Sequence, residues 1–163
     1  SYNINQKESN TLVGLFIHIQ GKYKNNKLSK VFINKMKDFS YRKKYKLIIP
    51  LRPPTRFKKE FCEMSFDDFC EIKTDDGYFK DFWIRQHQKL GGKYLSYCKT
   101  SHQHKMSLDY FNQFFGDHIF LYNGYYTVNI LGGWYRVFYD IKRDIITINQ
   151  GCVWVEHSMY KIK

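Results

Sequence analysis

The chain has 163 residues, 19% aromatic and 26% charged, with a formal net charge of +12. That length defaults to one domain and can bury a core without disulfide help, and so aromatic a composition excludes a disordered segment. No apolar run approaches the roughly 18 residues of a membrane-spanning helix, and no signal-peptide pattern opens the chain.

Residues 1–10 read as a loose polar lead-in, and residues 11–163 as a single domain. Thr11-Leu12-Val13-Gly14-Leu15-Phe16-Ile17-His18-Ile19 reads as a strand, short, apolar and β-branched. Gly14 marks a bulge or a close backbone approach. After a polar loop, Leu28, Val31, Phe32, Met36 and Phe39 recur at helical spacing, which predicts an amphipathic helix over about 28–43. Asn25 or Asn26 could cap it. Lys46-Leu47-Ile48-Ile49 is a second strand, ended by Pro50, Pro53 and Pro54. Strand, loop, helix and strand make a βαβ unit, so the two strands should be parallel neighbours.

Ser65-Phe66-Asp67-Asp68 is a capping box for a short helix reaching about Lys73. Phe79 to Leu90 is a helix closed by Gly91-Gly92. A strand near Lys93–Lys99 and a helix from Ser107 to Phe115 follow. The remainder reads as strands over about Tyr125–Leu131, Trp134–Tyr139, Asp144–Asn149 and Val153–His157, with turns at Gly132-Gly133 and Lys142-Arg143-Asp144. The predicted class is α/β with a mixed, twisted sheet.

The charge is uneven. Lys22 to Lys59 holds fourteen lysines or arginines and one acid, Asp38, while the rest holds thirteen basic and fourteen acidic residues. Such a block suits a polyanion, either nucleic acid, an anionic surface or a phosphorylated cofactor, and reads equally as a lysine-rich solvated surface. Cys62, Cys70, Cys98 and Cys152 lack paired C-x-x-C spacing, which argues for reduced thiols in a cytoplasmic setting and against a zinc ribbon. Cys98 and Cys152 have no His placed to activate them and read as buried apolar thiols. His102 and His104 flank Gln103 in a polar turn, with no carboxylate or Cys at ligand spacing, so no metal is expected. His87, one turn after Trp83, reads as a packed structural histidine. Glu156-His157 reads as a solvated strand end. Tyr122, Tyr125, Tyr126, Trp134, Tyr135 and Tyr139 read as sheet-core and cross-strand residues, with a stacking platform for bases as the alternative.

Three words carry a resemblance. Pro50-Leu51-Arg52-Pro53-Pro54-Thr55 is close to "P-V-R-P-T". Phe79-Lys80-Asp81-Phe82-Trp83-Ile84-Arg85-Gln86-His87-Gln88-Lys89-Leu90-Gly91-Gly92 is close to "F-D-P-W-L-R-x-H-x-R-L-G-G". Val153-Trp154-Val155-Glu156-His157 is close to "V-W-V-x-H". In this order they resemble the later half of a branch of the GNAT (GCN5-related N-acetyltransferase) superfamily, from about Leu12 to His157. The resemblance implies a GNAT-like fold lacking its amino-terminal strands, so the chain is either a fragment or a shortened relative. It implies acyl transfer from acetyl-CoA or another acyl-CoA to a small amine. The pantetheine arm would pair with the first strand at Phe16 and Ile17. The pyrophosphate would sit on a loop matching Q/R-x-x-G-x-G/A, here Lys24, Asn26, Lys27, Ser29 and Lys30. Lys24 stands for the Arg or Gln, Lys27 where the first glycine is expected, and Ser29 where the second small residue is. Asn149-Gln150-Gly151-Cys152 stands where relatives show E-P-N before V-W-V. A tyrosine or serine often returns the proton to the leaving thiolate in this superfamily, which makes Tyr97, Ser101, Tyr139 and Tyr94 candidates. The unprotected Leu12–Ile19 edge is expected to be covered by a second copy of the chain or by another polypeptide. Two rivals stand beside the enzyme reading: a non-catalytic GNAT-like domain that binds a partner chain, and a nucleic-acid-binding module using the Lys22–Lys59 block.

Overall fold

The computed structural model describes residues 9–15, 17, 19–23 and 27–158. Its elements are β1 (Thr11–Val13), α1 (Leu28–Lys43), β2 (Lys46–Leu51), α2 (Phe66–Glu71), α3 (Phe82–Lys89), β3 (Gly92–Met106), α4 (Leu108–Phe115), β4 (Gly124–Ile130), β5 (Gly133–Asp140) and β6 (Ile145–His157). Among the described residues this is an α/β fold with a mixed sheet in the order β1-β2-β6-β5-β4, and β3 also pairs with β6. None of the described helices is long and apolar enough to cross a membrane.

The chain divides into two compact units. The first comprises Ser1–Leu51, Gln86–Ser96 and Val153–Lys163. In it β1 pairs with β2 in parallel, Thr11 opposite Lys46 and Val13 opposite Ile48, and α1 makes the crossover. The expected βαβ unit is therefore present. Its described first strand, Thr11–Val13, is shorter than the expected Thr11–Ile19, and beyond it the Gly14 amide still bonds the Ile48 carbonyl at 3.0 Å. A Cβ on Gly14 would lie 3.2 Å from Ile49 Cγ1, so the close neighbour there is a side chain and not a backbone.

β2 runs through Pro50 to Leu51, two residues beyond expectation, pairing antiparallel with β6. The polar groups of Ile48 face β1, and so, two residues on, does the nitrogen of Pro50. The missing N–H therefore falls on the β1 side and leaves the ladder with β6 intact. Ile33 of α1, Leu47, Ile49 and Leu51 of β2, and Val153 and Val155 of β6 are all buried.

The second unit comprises Arg52–Arg85 and Tyr97–Cys152. Ser65 caps α2 by accepting from the Asp68 amide at 3.0 Å, and Ser107 caps α4 by accepting from the Tyr110 amide at 3.2 Å. β4 and β5 form an antiparallel hairpin, and β5 pairs antiparallel with β6. Phe111, Phe120, Tyr135, Val137, Tyr139 and Ile146 are central to the core they enclose.

Two expectations fail on this strand set. β3 extends to Met106, so His102 and His104 lie exposed on a strand and not in a turn. Ser101 Oγ bonds the Gln150 carbonyl at 2.9 Å and Gln103 bonds Asn149 at 2.9 Å, so a polar stretch is held extended by its neighbour. β6 is one strand through Gly151, because an added Cβ there would lie 2.6–2.7 Å from the Phe66 ring. Gly151 provides close approach and makes no turn.

Candidate functional site

The three words of the resemblance meet in pairs. The Asp81 carboxylate, buried, accepts from the Trp83 and Ile84 amides at 2.9 and 3.0 Å, which starts α3, and from the Thr55 amide at 2.9 Å. That joins the second word to the first. Arg52 Nη1 donates to Gln150 Oε1 at 2.7 Å, so the arginine of the first word meets a residue just before the third. His87 Nδ1 lies 2.9 Å from His157 Nε2, joining the second word to the third. Gly91 ends α3 at φ 84°, and a Cβ on Gly92 would lie 2.8 Å from the His87 carbonyl and 2.6 Å from Val155 Cγ1. Asp81, His87, Gly91 and Gly92 of the second word thus have packing or capping tasks.

His157 is buried, which corrects its reading as a solvated strand end; alternation turns it inward after Val153 and Val155. Burial, and then the neighbouring His157, push His87 down to about 3. Burial, and then the Lys37 charge, push His157 down to about 4, against a hydrogen bond with the Leu90 backbone. Lys37 Nζ itself donates to the Leu90 carbonyl at 2.6 Å. Both imidazoles are therefore neutral near pH 7, one donating to the other.

The expected cofactor residues lie in the first unit. Phe16, Lys24 and Asn26 fall outside the described residues. Ile17 is half-buried beyond the end of β1. Lys27 sits at the N-terminus of α1 in the left-handed region, φ 55° and ψ 16°, and its side chain makes no capping bond. The position that the resemblance gives to glycine thus has a backbone that favours glycine. Ser29 Oγ accepts from Gln86 Nε2 at 2.9 Å, while Lys30 is exposed.

Of the expected catalytic residues, Tyr97, Ser101 and Tyr139 lie in the second unit and Tyr94 in the first. Tyr97 and Ser101 occupy β3, both half-buried, and the Tyr97 ring meets Phe66 edge-on at 5.9 Å. Tyr139 is on β5 within the aromatic core, its hydroxyl donating to Asp144 at 3.0 Å; burial, and then that carboxylate, raise its pKa. Tyr94 is exposed at the start of β3. Burial raises the Cys152 thiol, against a hydrogen bond with Ser101, and pushes Cys70 up to about 12, so both stay protonated.

Sequence reasoning passed over Arg56 and Arg136, which line one cavity of the second unit together with Tyr125, Trp134 and Tyr135. The adjacent run Trp134-Tyr135-Arg136 was the available signal. Comparison with protein-family models, with curated proteins and with solved structures finds no match to this chain.

Proposed function

We propose that this chain is a GNAT-like N-acyltransferase that moves an acyl group from acyl-CoA to a small amine. The observation that carries the reading is the start of α1. Among the described residues the parallel ladder runs to Gly14, and a 16-residue helix begins at left-handed Lys27 with no cap from that side chain. Unpaired first-turn amides and the helix dipole favour an anion there. Lys27 and Lys30 add positive charge in the same turn.

In the reaction the amine nitrogen attacks the thioester carbonyl carbon, the C–S bond breaks, and the thiolate leaves. The amine must lose a proton and the thiolate must gain one. Tyr97 and Ser101 are the groups we assign to the second transfer. Tyr139 is left out, since it is buried within the aromatic core while Tyr97 and Ser101 are half-buried.

Calorimetry and thermal melts with acetyl-CoA and with CoA test the reading. Ligand at a hundredfold its dissociation constant stabilises by about 2.7 kcal/mol. Lys27→Gly is expected to tighten binding by letting the backbone approach the phosphates. No heat and no shift with either ligand at millimolar concentration removes the reading. Tyr97→Phe and Ser101→Ala are expected to lower kcat more than KM once an acceptor is in hand.

A further inference from the structure

The second unit encloses a cavity of about 170 Å³. Arg56, Lys99 and Arg136 line it, and among its lining residues there is no Asp or Glu. Lys99 is neutralised by Asp67. The two arginines are held by backbone carbonyls. Arg56 donates to the carbonyls of Phe61 and Met64, and Arg136 to the carbonyl of Glu63 at 3.2 Å. The Glu63 carboxylate is engaged by Thr127, whose hydroxyl donates to it at 3.0 Å. Among the described residues neither guanidinium forms an ion pair.

Burial lowers the Arg56 pKa; the Cys62 thiol opposes this, and the Arg136 charge adds to it. Two like charges lining one partly buried cavity cost free energy that an anion between them would offset. Guanidinium groups suit planar oxyanions, which they meet with paired N–H donors.

The remaining wall is aromatic. Arg136 lies over the Tyr125 ring at 4.2 Å, Tyr135 stands 4.6 Å from Phe57, and Trp134 borders the same space. Gly151 adds no side chain, leaving the Phe66 ring against the β6 backbone.

We propose that this cavity binds a small aromatic oxyanion, its carboxylate or phosphate held by Arg56 and Arg136 and its ring by Tyr125, Trp134 and Tyr135. The site stands on its own geometry and does not rest on acyl-CoA binding. The volume admits a small molecule.

The test is titration of the full chain, free of CoA, with benzoate, phenyl phosphate, inorganic phosphate, benzyl alcohol and benzamidine. Calorimetry and tryptophan fluorescence report binding, with Trp134→Phe identifying the fluorescence source. Benzoate or phenyl phosphate is expected to bind saturably and perturb Trp134, and their ratio tells which oxyanion is preferred. Benzyl alcohol and benzamidine are expected not to bind. Arg136→Gln, an exposed position, is expected to weaken the aromatic anion by about tenfold, the loss of one charge-assisted contact. Tyr125→Leu is expected to weaken aromatic anions and leave inorganic phosphate unaffected. Benzamidine binding as well as benzoate, an unchanged Arg136→Gln, or no saturable binding by either aromatic anion overturns the proposal.

Discussion

The imidazoles of His87 and His157 make stability depend on pH. Both have folded pKa values below the ordinary 6.5, about 3 and about 4. The unfolded chain therefore binds more protons as pH falls below 6.5, and stability falls with it. The loss continues until pH passes the folded values near 4 and 3. At pH 5 it amounts to about 2 kcal/mol per histidine, at 1.36 kcal/mol per pH unit. Urea titrations at pH 7 and pH 5 should show this, and His87→Asn with His157→Asn should flatten the slope. An unchanged slope in the double variant assigns the acid sensitivity elsewhere. Two lysines carry a second residue-scale prediction. Lys27 and Lys44 flank α1 with φ of 55° and 58°. Left-handed backbone costs an L-residue roughly 1–2 kcal/mol, partly recovered by glycine. Lys27→Gly and Lys44→Gly should each raise stability by about 1 kcal/mol, seen as a Tm gain of about 2–4 °C. Of the two, Lys27→Gly alone should also tighten acetyl-CoA, which separates strain relief from a cofactor effect.

At the scale of elements, α3 and β6 depend on single contacts with distant segments. Asp81 accepts three amide hydrogen bonds, two starting α3 and one from Thr55. Asp81→Ala leaves those donors buried and unmet, at a cost of about 3 kcal/mol or more. Asp81→Asn should recover part of that by keeping an acceptor oxygen. β6 depends on Gly151. Its alanine variant must displace the Phe66 ring, itself packed edge-on against Tyr97 and stacked on Phe69. Gly151→Ala should cost about 1–3 kcal/mol, as overpacking does. Phe66→Leu in the same chain should restore most of it, which a double-mutant cycle would read. Additive losses would mean that the ring yields without strain.

For the whole molecule the governing quantity is charge. A net charge of +12, with fourteen of the basic residues between Lys22 and Lys59, favours any polyanion. Lys30, Lys35, Arg42 and Lys43 are exposed on α1, while Lys37 is committed to the Leu90 carbonyl. Generic duplex and single strands should bind weakly, in the roughly micromolar range or worse, and lose affinity steeply with salt as counterions are released. Measuring affinity at two salt concentrations checks this. A tight, sequence-selective complex would move nucleic acid ahead of acyl-CoA as the partner.

Local chemistry in the sequence determined much of the fold. The 3.6-residue spacing from Leu28 to Phe39 marked α1, and Ser65 and Ser107 announced the starts of α2 and α4 through their own side chains. Two short apolar runs around that helix implied the parallel pair β1–β2. These signals are complete within a few residues, because a helix period and a cap need no distant partner. The extent of β3, the continuity of β6, the burial of His157 and the meeting of Arg56 with Arg136 depend on residues far apart in sequence. Nothing near His102 says that a neighbouring strand will hold it extended, and nothing near Gly151 announces the Phe66 ring. Strand length and cavity walls are properties of what packs alongside, and only the tertiary structure brings those neighbours together.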